Sequence, residues 1–282
     1  MTLRNKHARL FFPVGSSGNL ADTTHLCIAA HQDDIELMAA GAILECYGKP
    51  DKAFTGVVVT DGAGSPRTGI YANCSDEDMK VIRANEQENA ASIGGYNAQF
   101  QLYYPSSAVK DNGNQNLVDE LVEIILATGP DVVLTHNFAD KHDTHCAVAA
   151  RTLQALRKIP TDKRPGVVYS MEVWRALDWV CDSEKKLFDT SSDEFLQAAM
   201  LGVYHSQIAG GKRYDLAGLG RKRANATYFA SHSTDDFSAA EYALDITELV
   251  NDESLSPSDF INRYIDKFKN DVNRRIAMFM CP

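Results

Sequence analysis

Residues 26–37 read Leu26-Cys27-Ile28-Ala29-Ala30-His31-Gln32-Asp33-Asp34-Ile35-Glu36-Leu37. The short apolar run at the front predicts a buried parallel strand over about 25–30. Met38, Ala39, Ala42, Ile43 and Cys46 then recur at helical spacing, which predicts a helix over about 35–47, stopped by Gly48 and Pro50. His31, Asp33 and Asp34 therefore stand where a strand's carboxyl end opens into a helix. In an open α/β sheet that edge is where ligands bind. A His and an Asp three residues apart can converge on one cation, with the Asp between them free to act as a base. Capping of helix N–H groups accounts for a lone Asp at such a place, and less readily for four polar groups.

Working outward, the same pattern repeats. Apolar, β-branched runs at 54–60, 100–103, 131–135 and 166–173 alternate with helical periodicity beginning at Ser75 and Leu117 and, farther on, carried by Val148, Thr152, Leu153 and Leu156. This predicts an α/β, Rossmann-like fold, a mainly parallel sheet with helices on both faces. Residues 1–22 read as an arm or edge element. After about residue 174 the pattern weakens: 195–204 and 264–278 read as helices. The basic runs Gly210-Gly211-Lys212-Arg213-Tyr214 and Arg221-Lys222-Arg223 read as an exposed rim loop. No composition shift marks a second domain, so the expectation is one domain over 1–282, with its core at about 23–210 and a less defined part at 211–282.

Composition narrows the function. The 282 residues carry a net charge of -10, which disfavours nucleic acid and anionic membrane surfaces as partners. The six cysteines form no CxxC pair, so buried, reduced thiols are expected rather than a zinc finger or a disulfide framework. The apolar run at 10–14 is too short for a signal segment or a membrane span, and the expectation is a cytoplasmic chain. Oligomeric state is left open.

A second polar cluster, His136-Asn137-Phe138-Ala139-Asp140-Lys141-His142-Asp143-Thr144-His145, follows the strand at 131–135. It belongs at the same sheet edge as the first. Zinc takes imidazole nitrogen and carboxylate oxygen, and a catalytic site keeps three protein ligands with one position open. His31, Asp34 and His145 supply such a set. His142 lies one turn from His145 on the same helix face and can donate to a developing oxyanion. Asp33 can take a proton from water. His136 is a spare candidate ligand.

Ala30-His31-Gln32-Asp33-Asp34-Ile35-Glu36 resembles the A-H-P-D-D-x-E signature of the LmbE/PIG-L-like zinc-dependent N-deacetylases. Gly41 fits the glycine that follows that signature. His142-Asp143-Thr144-His145 resembles the family's H-P-D-H. Arg83-Ala84-Asn85-Glu86 with Gly95, and Tyr204-His205-Ser206-Gln207, resemble its R-x-x-E helix and its late H-x-S-Q segment. The resemblance spans about 25–210 and implies His31, Asp34 and His145 as zinc ligands (or ligands of another divalent metal), Asp33 as general base and His142 as stabiliser of the tetrahedral intermediate. Two positions depart from the pattern. Gln32 replaces the signature's proline, and Thr144 replaces an aspartate expected to orient a histidine.

The expected activity is hydrolysis of an N-acetyl or other N-acyl group on an amino sugar or a GlcNAc-containing conjugate. Asp61, Arg67 and Arg83 are candidate substrate contacts, with an Arg83–Glu86 ion pair on one helix as the competing reading. The rival expectations are a related metal-dependent esterase or amidase, and a catalytically impaired member that binds sugar or metal. A dinucleotide site is disfavoured because no G-x-G-x-x-G follows the first strand.

Overall fold

The apolar run Leu26–Ala30 forms a strand in the middle of the sheet. In the computed structural model, which describes residues 3–230 and 232–280, its side chains alternate between two cores. Leu26, Ile28 and Ala30 pack on one face of the sheet, and Cys27 and Ala29 on the other. A strand buried on both faces has no solvent side, which is why its sequence is uniformly apolar.

The strands are β1 (Arg9–Phe11), β2 (His25–Ala29), β3 (Phe54–Thr60), β4 (Ala98–Tyr104), β5 (Val132–His136), β6 (Val167–Met171), β7 (Lys186–Asp189) and β8 (Ala240–Asp245). They form one sheet of order β1-β4-β3-β2-β5-β6-β8-β7. The four pairings among β4, β3, β2, β5 and β6 are parallel, whereas β1, β8 and β7 join antiparallel. The strand order reverses between β2 and β5, so a crevice opens beyond their carboxyl ends.

The helices are α1 (Asp34–Met38), α2 (Ala40–Cys46), α3 (Asp76–Ile93), α4 (Ser106–Lys110), α5 (Gln115–Thr128), α6 (Asp143–Lys158), α7 (Glu194–Gly202), α8 (His205–Ala209), α9 (Tyr214–Thr227), α10 (Thr247–Asn251) and α11 (Pro257–Met280). Ser75 and Asp78 close a reciprocal capping box at the start of α3. No helix among the described residues is long and apolar enough to cross a membrane. Cys27, Cys46, Cys74, Cys146 and Cys181 are free thiols; Cys281 lies outside the described residues.

The structure corrects three expectations. The helix expected over 35–47 is two helices that break at Ala39, whose φ of -125° and ψ of 23° are not helical. The sheet continues past residue 210, because β8 inserts beside β6 and carries β7 on its outer edge. The basic run at 221–223 is not a rim loop. It lies in α9, and Lys222 is buried, 2.8 Å from Glu241 of β8, with its ammonium also donating to the Glu36 carbonyl at 3.2 Å. Glu241 in turn accepts the Ala40 and Gly41 amides at 3.3 and 2.9 Å. The break between α1 and α2 is thus tied to the strand that the sequence pattern hides. Gly41 is required by close approach: a Cβ there would stand 2.5 Å from Cβ of Phe188.

Candidate metal centre and cleft

His31 and Asp34 follow β2, and His142 and His145 open α6 after β5, so the reversal in strand order brings both clusters to one crevice. Nδ1 of His31 lies 3.1 Å from Oδ2 of Asp34 and 3.2 Å from Nε2 of His145, and the latter two atoms are 3.3 Å apart. Ligands about 2.0–2.1 Å from one tetrahedral zinc are separated by about 3.3 Å. Three donors from distant turns therefore stand at the mutual spacing a shared cation imposes. A ring nitrogen of His142 falls within 4.8 Å of those of His31 and His145.

The charges fit a cation as well. Burial opposes ionisation of Asp34, but His145 and His31 hold its carboxyl well below the usual range. His145 has a carboxylate at each end of its ring: Asp34 near Nε2, and Asp140 Oδ2 at 3.2 Å from Nδ1. Against the cost of burial, these carboxylates raise the His145 imidazole to about 10. The centre favours positive charge, and a divalent cation supplies it without a proton.

Asp140 is the residue that sequence reasoning missed. Its carboxylate also accepts the His142 and Val173 amides, at 3.2 and 2.9 Å. A carboxylate behind a ligand histidine fixes its ring orientation and raises its basicity. The available signal was an acidic residue five positions before His145 in a cluster otherwise accounted for. His136 is fully buried and stacks on His145, with ring centroids 4.1 Å apart. Its Nε2 accepts the Ala30 amide at 2.8 Å, so that lone pair is already engaged and His136 braces the site.

Asp33 sits beside the centre with φ of 92°, a left-handed backbone that a non-glycine residue adopts at a cost of about 1–3 kcal/mol. The surroundings hold it there. Arg83 donates to Oδ2 at 2.8 Å and also to the Gln32 carbonyl, and the Asp33 amide donates to Gln87 at 3.3 Å. Burial, partly offset by Arg83, pushes the Asp33 carboxyl up to about 6. Gln32, in place of the signature's proline, shapes the turn by donating to the Thr60 carbonyl at 3.2 Å.

Arg83 is itself fully buried and bonds Glu86 at 2.9 Å; Glu86 accepts the amide and hydroxyl of Ser206 at 2.6 and 2.8 Å. The guanidinium, read in the sequence as a substrate contact or a Glu86 partner, is committed to Asp33 and Glu86. Glu36 is buried and accepts from Tyr204, Tyr96 and Gln87 at 2.6, 2.7 and 3.0 Å. The late Tyr204–Gln207 segment is thereby bolted to the signature loop.

The cleft above the centre encloses about 310 Å³ and includes Asp61, Ser106, Lys110, Trp174, Lys212 and Tyr214 in its walls. Asp61 faces it. Arg67 does not: it is turned to the Ala63 carbonyl and to Asp76. His142 is exposed to the cleft, and burial on one side together with His145 and His31 lowers its pKa. Thr144, beside it, is buried and brings no charge.

Residues 26–156 match the family model for PIG-L, described as GlcNAc-PI de-N-acetylase. No curated protein matches the chain significantly. Among solved structures, N,N'-diacetylchitobiose deacetylase from Pyrococcus horikoshii superposes with a TM-score of 0.63 at 16% identity, over 82% of this chain and 86% of that one. The 4-carboxy-2-hydroxymuconate hydratase GalB from Pseudomonas putida gives 0.61 at 19%, over 79% and 96%. The A40926 pseudoaglycone deacetylase Dbv21 gives 0.55 at 20%, over 79% and 96%. The likeness to the PIG-L family is carried by residues 26–156, and the chain as a whole has an LmbE-like α/β fold.

Proposed function

We propose that this protein is a metal-dependent hydrolase that removes an N-acetyl or related N-acyl group from an amino sugar or a GlcNAc-containing conjugate. The observation that carries the reading is the tetrahedral-edge spacing of His31 Nδ1, Asp34 Oδ2 and His145 Nε2 beside an Asp33 held by Arg83. His31, Asp34 and His145 would hold zinc or another divalent cation, with Asp140 orienting His145. When bound there, such a cation supplies Lewis acidity to the amide carbonyl and to water.

The chain's own groups do the rest. Asp33, with a pKa near 6, is ionised at neutral pH and accepts a proton from the attacking water. The same carboxyl then returns that proton to the departing amine, so the amide C–N bond breaks as a neutral amine leaves. His142 donates an N–H to the oxygen that becomes negative, a contact worth most in the transition state. Arg83 positions Asp33 and keeps its carboxylate aimed into the cleft.

A hydratase shares this fold, so acetate release itself is the deciding readout. Zinc-loaded protein should release acetate from at least one of a panel of N-acetyl amino sugars. A chelator should stop the release, and zinc should restore it. Absence of acetate release across the panel, in protein shown to bind the metal, would overturn the assignment.

A further inference from the structure

Helix α11 lies far from the residues that carry the family likeness, and it is fastened at one end only. Ser256 accepts the Asp259 amide at 3.0 Å, and Phe260 and Ile261 are buried in the core. Beyond Ile261 no residue of the helix is buried, and only Tyr264 and Asp271 are even half-buried. At 1.5 Å per residue, the stretch from Asn262 to Met280 runs about 28 Å with its outer side uncovered.

That outer side is not polar. Ile265, Phe268, Val272, Ile276 and Phe279 follow Ile261 at steps of three and four residues, so they share one face. Their exposures are 40, 39, 37, 55 and 79%. At about 200 Å² for a large apolar side chain, the stripe opens roughly 500 Å² of apolar surface to water, a size that marks an interaction site. A helix in water gains most of its stability by packing its apolar face, which this one has not yet done.

The charges around the stripe select what covers it. Four of the five cations on α11 are already paired: Arg263 with Glu248 at 3.2 Å, Lys267 with Glu184 at 2.7 Å, and Arg274 and Arg275 with Asp271 at 2.8 and 2.7 Å. An anionic lipid surface draws on free cations, and it would also repel a chain of net charge -10. A second copy needs only a stripe that matches itself. In the antiparallel sense it does. About a point at residue 270, Phe268 falls opposite Val272 and Ile265 opposite Ile276, so apolar meets apolar in each layer and two-fold symmetry makes each contact twice. Phe279 falls opposite Ile261, at the foot of the partner's helix. With the aliphatic stems of Lys269 and Arg275 beside the stripe, the covered surface approaches the ~800 Å² per protomer of a standard interface.

We propose that α11 is a dimerisation element, pairing antiparallel with α11 of a second copy of this chain about a two-fold axis near residue 270. Sedimentation equilibrium of the full chain at micromolar concentration should give twice the chain mass. Ile265→Lys and Ile276→Glu, each alone, should give monomers that still unfold in one cooperative transition, showing that the body is intact. An equimolar mixture of the two variants should return to twice the mass. Antiparallel pairing sets the introduced lysine against the other chain's introduced glutamate, and the matching layer keeps both isoleucines. A wild-type monomer, a dimer that survives either single substitution, or a mixture that stays monomeric would overturn the proposal. A wild-type monomer that co-floats with phosphatidylglycerol vesicles would overturn it too, and would give the stripe to a lipid surface. Acetate release enters none of these measurements, so their outcome is independent of the deacetylase reading.

Discussion

Asp33, Asp34 and Asp140 are three aspartates within one site, and their surroundings give them three tasks. Asp34 is surrounded by imidazoles and stays ionised; Asp33 is buried against Arg83 and has its pKa raised to about 6; Asp140 lies behind His145 and orients it. Different substitutions should therefore fail differently. Asp33→Asn should lower kcat by about 100-fold or more while zinc still binds at one equivalent, measured by metal analysis beside acetate release. Asp140→Asn should keep the fold and weaken zinc affinity by about 10–100-fold in a competitive chelator titration. A loss of zinc in the first variant, or unchanged affinity in the second, would contradict these roles. That His31, Asp33, Asp34, His142 and His145 come to one crevice was legible in the sequence, because each sits at a strand-to-helix junction. Asp140 was not, because its task depends on the path of the loop between β5 and α6, and no residue spacing encodes that path.

At the scale of elements, the site depends on how α1, α3, α8 and α9 are fastened to the sheet. Arg83 of α3 is buried between Asp33 and Glu86. Truncating one member of such a group leaves the others charged and unpaired, at a cost of about 3–5 kcal/mol. Arg83→Met should thus lower stability in urea unfolding by an amount of that order, with activity falling alongside; a change under about 1 kcal/mol would show that the guanidinium is dispensable. Lys222 and Glu241 make the same kind of pair between α9 and β8, and the pair explains why this region was misread. A lysine amid basic neighbours looks like solvated surface, and a strand containing a glutamate looks like a loop. Each is buried only because the other is there. At Gly41, alanine would bring a methyl group against Phe188, so Gly41→Ala should destabilise by about 1–3 kcal/mol in the same assay.

Across the whole molecule, the strand order reverses between β2 and β5 and sets the address of the site. The alternation of short apolar runs with helical periodicity made the parallel centre of the sheet readable, since strands buried on both faces carry an unambiguous pattern. The antiparallel margins were harder. β7 has four residues and an exposed side, and β8 carries a buried charge, so neither shows the run that a central strand must have. The centre joins two halves of the chain, His31 and Asp34 from one and His145 from the other, so metal binding should stabilise the folded state as a unit. Adding a chelator should lower the thermal midpoint, and zinc should restore it. The most direct test is the anomalous scattering of crystals grown with equimolar zinc. The expected result is one peak about 2.0–2.2 Å from His31 Nδ1, Asp34 Oδ2 and His145 Nε2. A zinc peak elsewhere, or none between these three residues in metal-loaded crystals, would contradict the metal centre and the chemistry built on it.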